Sequence, residues 1–134
     1  MEETRRKIII VDDVSAMLLS LKARLGKQYE IYPAQSAEEM YAILSYFIPD
    51  LILLDINMPV LSGFDLVRII RRFSDHTETP IVFLTAEGTI DNIGTAVNLG
   101  ACDFIVKPIN EAILREKTAL HLADFVVRRR LRSI

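Results

Sequence analysis

Charged and hydroxyl side chains stand at the ends of several short apolar runs in this sequence. Two acids follow the run of residues 7–11, and one acid follows residues 51–54. The run of residues 80–85 ends in a threonine, and a lysine follows residues 104–106. These five residues are Asp12, Asp13, Asp55, Thr85 and Lys107. If the runs are parallel strands, the five side chains meet at one edge of a sheet, where such sheets bind ligands.

The three acids indicate a cation. Clustered carboxylates raise one another's pKa unless a cation lies among them. Oxygen ligands at this density favour a hard ion such as Mg²⁺, because no His or Cys lies near these acids to suit zinc.

Each of the five residues, taken alone, also has a structural explanation. Asp13 could cap the helix that follows it, because acids are favourable at a helix N-terminus. Asp55 could be a turn residue, Thr85 ordinary strand composition and Lys107 a solvated charge. Their joint placement at predicted strand ends favours a site.

Five strands are predicted, and their spacing indicates how they connect. They begin about 20 to 30 residues apart, which suits right-handed crossovers and not hairpins. Pro33 places the second strand at a sheet edge. The pattern predicts a parallel sheet with helices on both faces. The predicted strands are residues 7–11, 30–34, 51–54, 80–85 and 104–106.

Helix-period segments separate the strands. Gly26 stands where the first helix would end, and Ser36 with Glu39 forms a capping box for the second. The fourth helix is weaker, because Gly94 in its interior costs about 1 kcal/mol relative to Ala. The fifth begins near Asn110.

Composition excludes several classes of protein. The chain has 134 residues, 51% of them hydrophobic, which predicts one globular domain. Its longest apolar runs are far below the roughly 20 residues that a bilayer requires, and no signal peptide is recognisable. A lone Cys102 favours a reducing cytoplasm.

The net charge of −2 hides an asymmetry: residues 128–134 contain four arginines, and the remainder carries 12 basic against 18 acidic groups. This basic end could be a solvated helix end, a signalling helix that leads to an effector domain, or a nucleic-acid patch. The last is disfavoured because no DNA-binding motif is recognisable. His121 is expected on a helix face and not as a metal ligand.

Four short motifs occur in order and at consistent spacing. They are the pair Asp12-Asp13, the segment DINMPVLSG (55–63), Thr85-Ala86 and Lys107-Pro108. Together, over about residues 7–121, they resemble the receiver domain of two-component response regulators. The resemblance implies a flavodoxin-like doubly wound (β/α)5 α/β fold with strand order 2-1-3-4-5 and, here, an extended C-terminal helix. Residues 1–121 would be the receiver domain and residues 122–134 a helical extension that could link to an effector domain.

The resemblance implies a phosphoacceptor site. Asp55 would take a phosphoryl group from a histidine of a histidine kinase or phosphotransfer protein. Asp13, Asp55 and the backbone carbonyl of Asn57 would bind Mg²⁺ directly, and Asp12 would act through bound water. Lys107 would pair with the phosphoryl oxygens.

The resemblance also implies a conformational switch. Thr85 would move to the phosphoryl group and Phe104 would rotate inward, which changes the surface of the fourth helix, fifth strand and fifth helix. Asn57 and Glu87 would tune the phosphoryl lifetime. The chain would be a signalling switch and not an enzyme, and this surface or the extended helix could mediate a homodimer.

Three other functions fit the sequence less well. A phosphohydrolase with an Asp nucleophile would have an Asp-x-Asp pattern, which Asp12-Asp13-Val14-Ser15 breaks. A flavin-binding module would need a hydroxyl- and glycine-rich loop after the first strand, where two aspartates would repel a phosphate. A degenerate receiver that only binds proteins is disfavoured by the complete motif set.

Overall fold

A computed structural model describes most of the chain. It covers residues 5–58, 62–72, 78–86 and 103–132, together with residues 94, 98 and 101, and for residues 126–132 it describes the backbone alone. Glu87 and most of the predicted fourth helix lie outside these residues.

Five strands form one parallel sheet in the order β2-β1-β3-β4-β5. This confirms the predicted fold and strand order, and β2, which contains Pro33, is an edge strand. The predicted strand limits are right to within one residue. The strands are β1 (Lys7–Val11), β2 (Glu30–Ala34), β3 (Leu51–Asp55), β4 (Ile81–Thr85) and β5 (Asp103–Val106).

Four helices are described. They are α1 (Ser15–Leu25), α2 (Ala37–Leu44), α3 (Gly63–Arg72) and α4 (Glu111–Arg132). The predicted fifth helix is therefore α4 in this numbering. Gly94, which belongs to the predicted fourth helix, is helical and exposed. None of the described helices combines the length and the hydrophobicity that a membrane span needs.

The helices cover both faces of the sheet, as predicted. The apolar sides of α1 and α4 pack on one face, through residues such as Leu21 and Leu114. Those of α2 and α3 pack on the other, through residues such as Met40 and Leu66. Because β1, β3 and β4 are buried on both sides, their sequences are continuously apolar without alternation.

Helix caps follow the sequence closely at α2 and less closely at α1. The Ser36 Oγ accepts a hydrogen bond from the Glu39 N–H at 3.2 Å, as in a capping box. The N-cap of α1 is Val14, so Asp13 does not cap this helix. Gly26 is the C-cap with an ordinary right-handed φ of −66°, and a Cβ there would lie 2.5 Å from the Lys22 carbonyl oxygen.

The C-terminal helix α4 packs on the domain beyond the predicted limit at residue 121. Its buried side chains are Leu114, Thr118, Leu122 and Phe125, which recur at helical spacing along one side. The division between residues 121 and 122 stays a prediction, and the burial of Leu122 and Phe125 bears on it directly.

Candidate functional site

Asp12 is held rigidly at the end of β1. Its side chain is fully buried, and its Oδ1 accepts a hydrogen bond from the Val14 N–H at 2.9 Å. Its own N–H donates to the Ala34 carbonyl at 3.0 Å, which continues the ladder to β2. A carboxylate buried in this way needs compensating partners, because burial without them is costly.

Asp55 is the last residue of β3 and is 3% exposed. Its Oδ1 accepts a hydrogen bond from the Asn57 N–H at 3.1 Å, and the neighbouring Ile56 N–H donates to the Leu84 carbonyl at 3.1 Å. A local backbone N–H and the pairing with β4 therefore position this carboxylate.

Gly63, at the start of α3, packs directly on the backbone of Asp55. A Cβ at this position would lie 2.6 Å from the Asp55 carbonyl oxygen and 2.8 Å from the Ile56 Cα. The Gly63 N–H also donates to the Ile56 carbonyl at 2.8 Å. The glycine thus lets α3 begin in contact with the end of β3, next to the backbone of Asp55.

Lys107 joins the two buried carboxylates. Its N–H donates to the Thr85 carbonyl at 2.7 Å, which fixes the backbone after β5. Its Nζ donates to Asp12 Oδ2 at 3.0 Å and lies 3.4 Å from Asp55 Oδ1. The Lys107-Pro108 peptide bond is cis. One ammonium group therefore compensates two buried acids.

The predicted carboxylate cluster forms. Asp12, Asp13 and Asp55 each place one carboxylate oxygen within 4.8 Å of the others. Asp12 and Asp55 are buried and Asp13 is exposed, so the cluster opens to solvent on one side. Three oxygen donors at this spacing fit a hard divalent cation such as Mg²⁺.

The charges of the site shift two pKa values. Burial raises the pKa of Asp55 above its ordinary value of 3.8, and the charge of Asp12 adds to this. The Asn57 N–H and the Lys107 ammonium oppose the rise without cancelling it. Burial alone would lower the pKa of Lys107, but its hydrogen bond and charge interaction with Asp12, reinforced by Asp55, raise it. The lysine is therefore fully charged.

The other predicted residues lie around this cluster. Thr85 ends β4 and is buried, at 2% exposure, and Phe104 on β5 is partly buried against the core. Asn57 is exposed next to Asp55. Glu87 lies outside the described residues, so its role stays a prediction.

A second charged cluster, which the sequence reasoning missed, lies at the β5 edge of the sheet. Asp103, Lys117 and His121 form what we call the edge cluster. The Lys117 Nζ donates to Asp103 Oδ1 at 2.9 Å, and His121 Nε2 lies 3.0 Å from Asp103 Oδ2. Lys117 and His121 are four residues apart and share one helix face, but no local pattern indicated that Asp103 lies beside them.

The chain is similar in sequence to proteins of one known family. The family model for the response regulator receiver domain matches residues 8–119. The chain is 38% identical, over 81% of its length, to a protein named probable transcriptional regulator ycf27 from Guillardia theta. It is 36% identical, over 90% of its length, to the response regulator protein PilR of Pseudomonas aeruginosa.

A solved structure shows the same similarity. The chemotaxis protein CheY4 of Vibrio cholerae superposes with a TM-score of 0.83 at 30% identity, over 87% of this chain and 98% of that one. By contrast, the match covers 42% of the ycf27 protein and 27% of PilR. The chain therefore corresponds to less than half of each of these two relatives and to nearly all of CheY4.

Proposed function

This chain belongs to the response regulator receiver domain family, and from that premise we propose that it is a phosphorylation-dependent signalling switch whose phosphoacceptor is Asp55. The observation that carries the proposal is the meeting of Asp12, Asp13, Asp55 and Lys107 at the carboxyl end of the sheet. The phosphodonor is a phosphohistidine of a histidine kinase or phosphotransfer protein.

Asp55 is the nucleophile in this proposal. Within the part of the chain that the structure describes, its contacts with the Asn57 N–H and with Lys107 both fall on Oδ1, so Oδ2 is the oxygen we assign to attack. An Oδ2–P bond forms as the P–N bond of the donor breaks, and the imidazole leaves with the bonding electron pair. The product is an acyl phosphate on Asp55 and an unphosphorylated histidine.

The acidic cluster is the proposed cation site. Asp13 and Asp55, with the backbone carbonyl of Asn57, would hold Mg²⁺ directly, and Asp12 would act through bound water. When bound, the ion neutralises charge on carboxylate and phosphoryl oxygens that would otherwise repel. The exposed position of Asp13 leaves an entry path on the solvent side.

Lys107 supplies the permanent positive charge. Its ammonium already lies 3.4 Å from Asp55 Oδ1, so it is within reach of an oxygen of a group bound to that residue. We propose that it pairs with a phosphoryl oxygen as a point charge and shares its hydrogen bonds with Asp12. The raised pKa of Lys107 supports this role, because the group stays protonated.

Thr85 and Phe104 form the proposed switch. They lie on the adjacent strands β4 and β5, where Thr85 pairs with Val106 and Phe104 pairs with Phe83. The Thr85 carbonyl accepts a hydrogen bond from the Lys107 N–H. On phosphorylation the Thr85 hydroxyl would turn towards the phosphoryl group, and the Phe104 ring would rotate into the space released. The change would reach the surface of β5, α4 and the segment before β5, as a shift between two pre-existing arrangements.

Asn57 and Glu87 are the proposed determinants of phosphoryl lifetime. Both are polar and follow Asp55 and Thr85 by two residues, where they could orient an attacking water. We propose comparatively fast self-dephosphorylation. A lifetime that stays unchanged when both residues become Ala would contradict this.

The output and location are proposals as well. We propose that the chain acts in the cytoplasm as a signalling domain and not as an enzyme, and that its response is read by an effector domain or a protein partner. We also propose a homodimer through the β5–α4 surface or the extended helix, and direct nucleic-acid binding is not proposed. Residues from 122 onward would form the connection to an effector.

The experiment is phosphorylation with a small phosphodonor and Mg²⁺. We expect the native chain to gain about one acid-stable, base-labile phosphate per molecule and Asp55→Asn to gain none. Asp65→Asn is the control, because Asp65 is an acid near the start of α3 whose carboxylate accepts hydrogen bonds from the Ser62 N–H and hydroxyl. Equal labelling of Asp55→Asn would contradict the assignment, and loss of labelling in Asp65→Asn would show that the assay reports only folding.

A further inference from the structure

Lys117 of the edge cluster contacts Phe104, the aromatic residue of the proposed switch, in two ways. Its Nζ donates to the Phe104 carbonyl oxygen at 2.7 Å and lies 5.0 Å from the centre of the Phe104 ring. The same ammonium donates to Asp103 Oδ1 at 2.9 Å. A single cation therefore binds the ring, the carbonyl group and the preceding carboxylate.

We propose that Lys117 is a positioning residue that holds Phe104 in its present, partly exposed position and so sets the threshold of the switch. The proposal rests on the proposed function, because it assigns a regulator to the same switch. A cation over an aromatic face is stabilising, and this contact is made only while the ring lies under the ammonium. Inward rotation of the ring would break it.

The surroundings of Lys117 explain why this contact is well defined. Asp103 is itself held by the His121 Nε2 at 3.0 Å and by the Phe104 N–H at 2.8 Å. The side chain of Lys117 is 29% exposed, so the contact is only partly screened by water. The ammonium is thus fixed by an anchored carboxylate on one side and a backbone carbonyl on the other.

The position of Lys117 also connects the switch to the C-terminal helix. Lys117 and His121 are on α4, whereas Asp103 and Phe104 are on β5. The helix body packs on the opposite face of the sheet from Phe104, so Lys117 reaches around the sheet edge. Any movement of α4 that withdraws this lysine releases Phe104, and any rotation of Phe104 removes one contact of α4.

The direction of the effect follows from population-shift reasoning. If Lys117 stabilises the partly exposed ring, the arrangement that binds the phosphoryl group is a minor population. The apparent dissociation constant of a ligand that binds this arrangement is then its intrinsic value divided by the populated fraction. Removal of the ammonium raises this fraction, so a phosphoryl mimic should bind more tightly.

The test measures Phe104 and Asp55 together. All six phenylalanines are replaced by fluorophenylalanine, and the Phe104 resonance is assigned from a Phe104→Leu variant. Beryllofluoride with Mg²⁺, a phosphoryl mimic for carboxylates, is then titrated into the native chain, Lys117→Met, Lys117→Arg and Arg115→Met. Arg115 is two residues away on α4 and contacts α1 and Glu111, which makes it the matched control.

The expected result is specific to Lys117. In Lys117→Met the half-saturating beryllofluoride concentration should fall about 3- to 10-fold, and the unliganded Phe104 resonance should shift towards its saturated position. Lys117→Arg should restore both values, because a guanidinium also binds aromatic faces, carboxylates and carbonyls. Arg115→Met should match the native chain.

Two results would overturn the proposal: native values in Lys117→Met, or an equal change in Arg115→Met. Asp103→Asn, which removes the anchor and leaves the lysine, should change both values in the same direction as Lys117→Met, and its failure to do so would also count against the proposal. If the native chain does not bind beryllofluoride, the proposed function itself fails. If it binds with no change at Phe104, the function survives and the switch residue is wrong.

Discussion

At the scale of single residues, one lysine balances two buried acids. Lys107 lies nearer to Asp12, at 3.0 Å, than to Asp55, at 3.4 Å. It therefore binds strongly to an acid that is not the proposed nucleophile, and it reaches Asp55 without sequestering it. The raised pKa of Asp55 reports the remaining imbalance, in which burial and the charge of Asp12 outweigh the lysine and the Asn57 N–H.

Replacement of this lysine should slow the reaction, and it should also lower stability, because two buried acids lose their compensating cation. For Lys107→Met we expect phosphorylation by a small phosphodonor to be about 100-fold slower, because a preorganised charge on the transferred group is lost. Lys27→Met, which removes an exposed lysine beyond α1, is the control. Initial rates at saturating Mg²⁺ measure the effect, and equal rates in the two variants would contradict the role of Lys107.

The raised pKa of Asp55 predicts a pH dependence of stability. The folded pKa lies above the unfolded value of 3.8, so the folded state binds more protons between the two values. Stability is therefore lost as the pH rises through the folded pKa of Asp55. Asp55→Asn should be more stable than the native chain at pH 7, and the difference should shrink towards pH 3.8.

Urea unfolding of the native chain and Asp55→Asn across this pH range measures the effect. A difference in unfolding free energy that is constant with pH, or that favours the native chain at pH 7, would contradict the direction of the shift. The site would then be a source of stability and not a cost.

At the scale of elements, the packing of α3 against β3 decides where the proposed nucleophile lies. Gly63→Ala would place a Cβ 2.6 Å from the Asp55 carbonyl oxygen, so helix or strand must shift. We expect a loss of about 1–3 kcal/mol in unfolding free energy. Phosphorylation should also slow, because the carboxylate moves with the strand.

Gly94 provides the matched control for this substitution. It is helical, and a Cβ there meets nothing within 4 Å. Gly94→Ala should therefore raise the unfolding free energy by up to about 1 kcal/mol, through helix propensity alone. Chemical unfolding of both variants checks the pair, and a similar effect of the two substitutions would show that the close approach at Gly63 is unimportant.

Elements with strong local signals were predictable from sequence. The strands β1, β3 and β4 are buried on both faces, and this burial appears directly as uninterrupted apolar runs. The Ser36 cap was also readable, because its partner is three residues away. The carboxylate cluster followed from the rule that parallel strands end at one edge.

Contacts between distant residues were not predictable in this way. Lys107 and Asp12 are 95 residues apart, and no local pattern shows that their separation is shorter than that of Lys107 and Asp55. The contact between Asp103 and His121 was unpredictable for the same reason, because it joins a strand to a helix. The close approach of Gly63 to β3 depends on the path of the loop, which a glycine in a motif does not specify.

At the scale of the whole molecule, the C-terminal helix contributes side chains to the core and then continues beyond them. Leu122 and Phe125 are each 5% exposed, and they lie beyond residue 121, where the family resemblance implied the end of the domain. Charged residues interrupt the apolar spacing of α4, which hid this packing. The backbone continues as helix to Arg132.

Two truncations locate the domain limit. Deletion of residues 122–134 removes two buried side chains and should lower the unfolding free energy by about 3 kcal/mol or more. Deletion of residues 126–134 keeps Leu122 and Phe125 and should lower the unfolding free energy less. Urea unfolding measures both, and sedimentation tests whether either deletion converts a dimer to a monomer. Equal stability of the two truncated chains would support the predicted limit at residue 121.

The most direct measurement is the location of the phosphoryl group on the chain. After incubation with a small phosphodonor and Mg²⁺, borohydride reduces an acyl phosphate to an alcohol and so converts a phosphorylated aspartate into homoserine. Peptide sequencing should find homoserine at position 55 alone. Homoserine at position 12 or 13 would contradict the assignment of Asp55. Homoserine at no position after incubation with the phosphodonor and Mg²⁺ would contradict it as well.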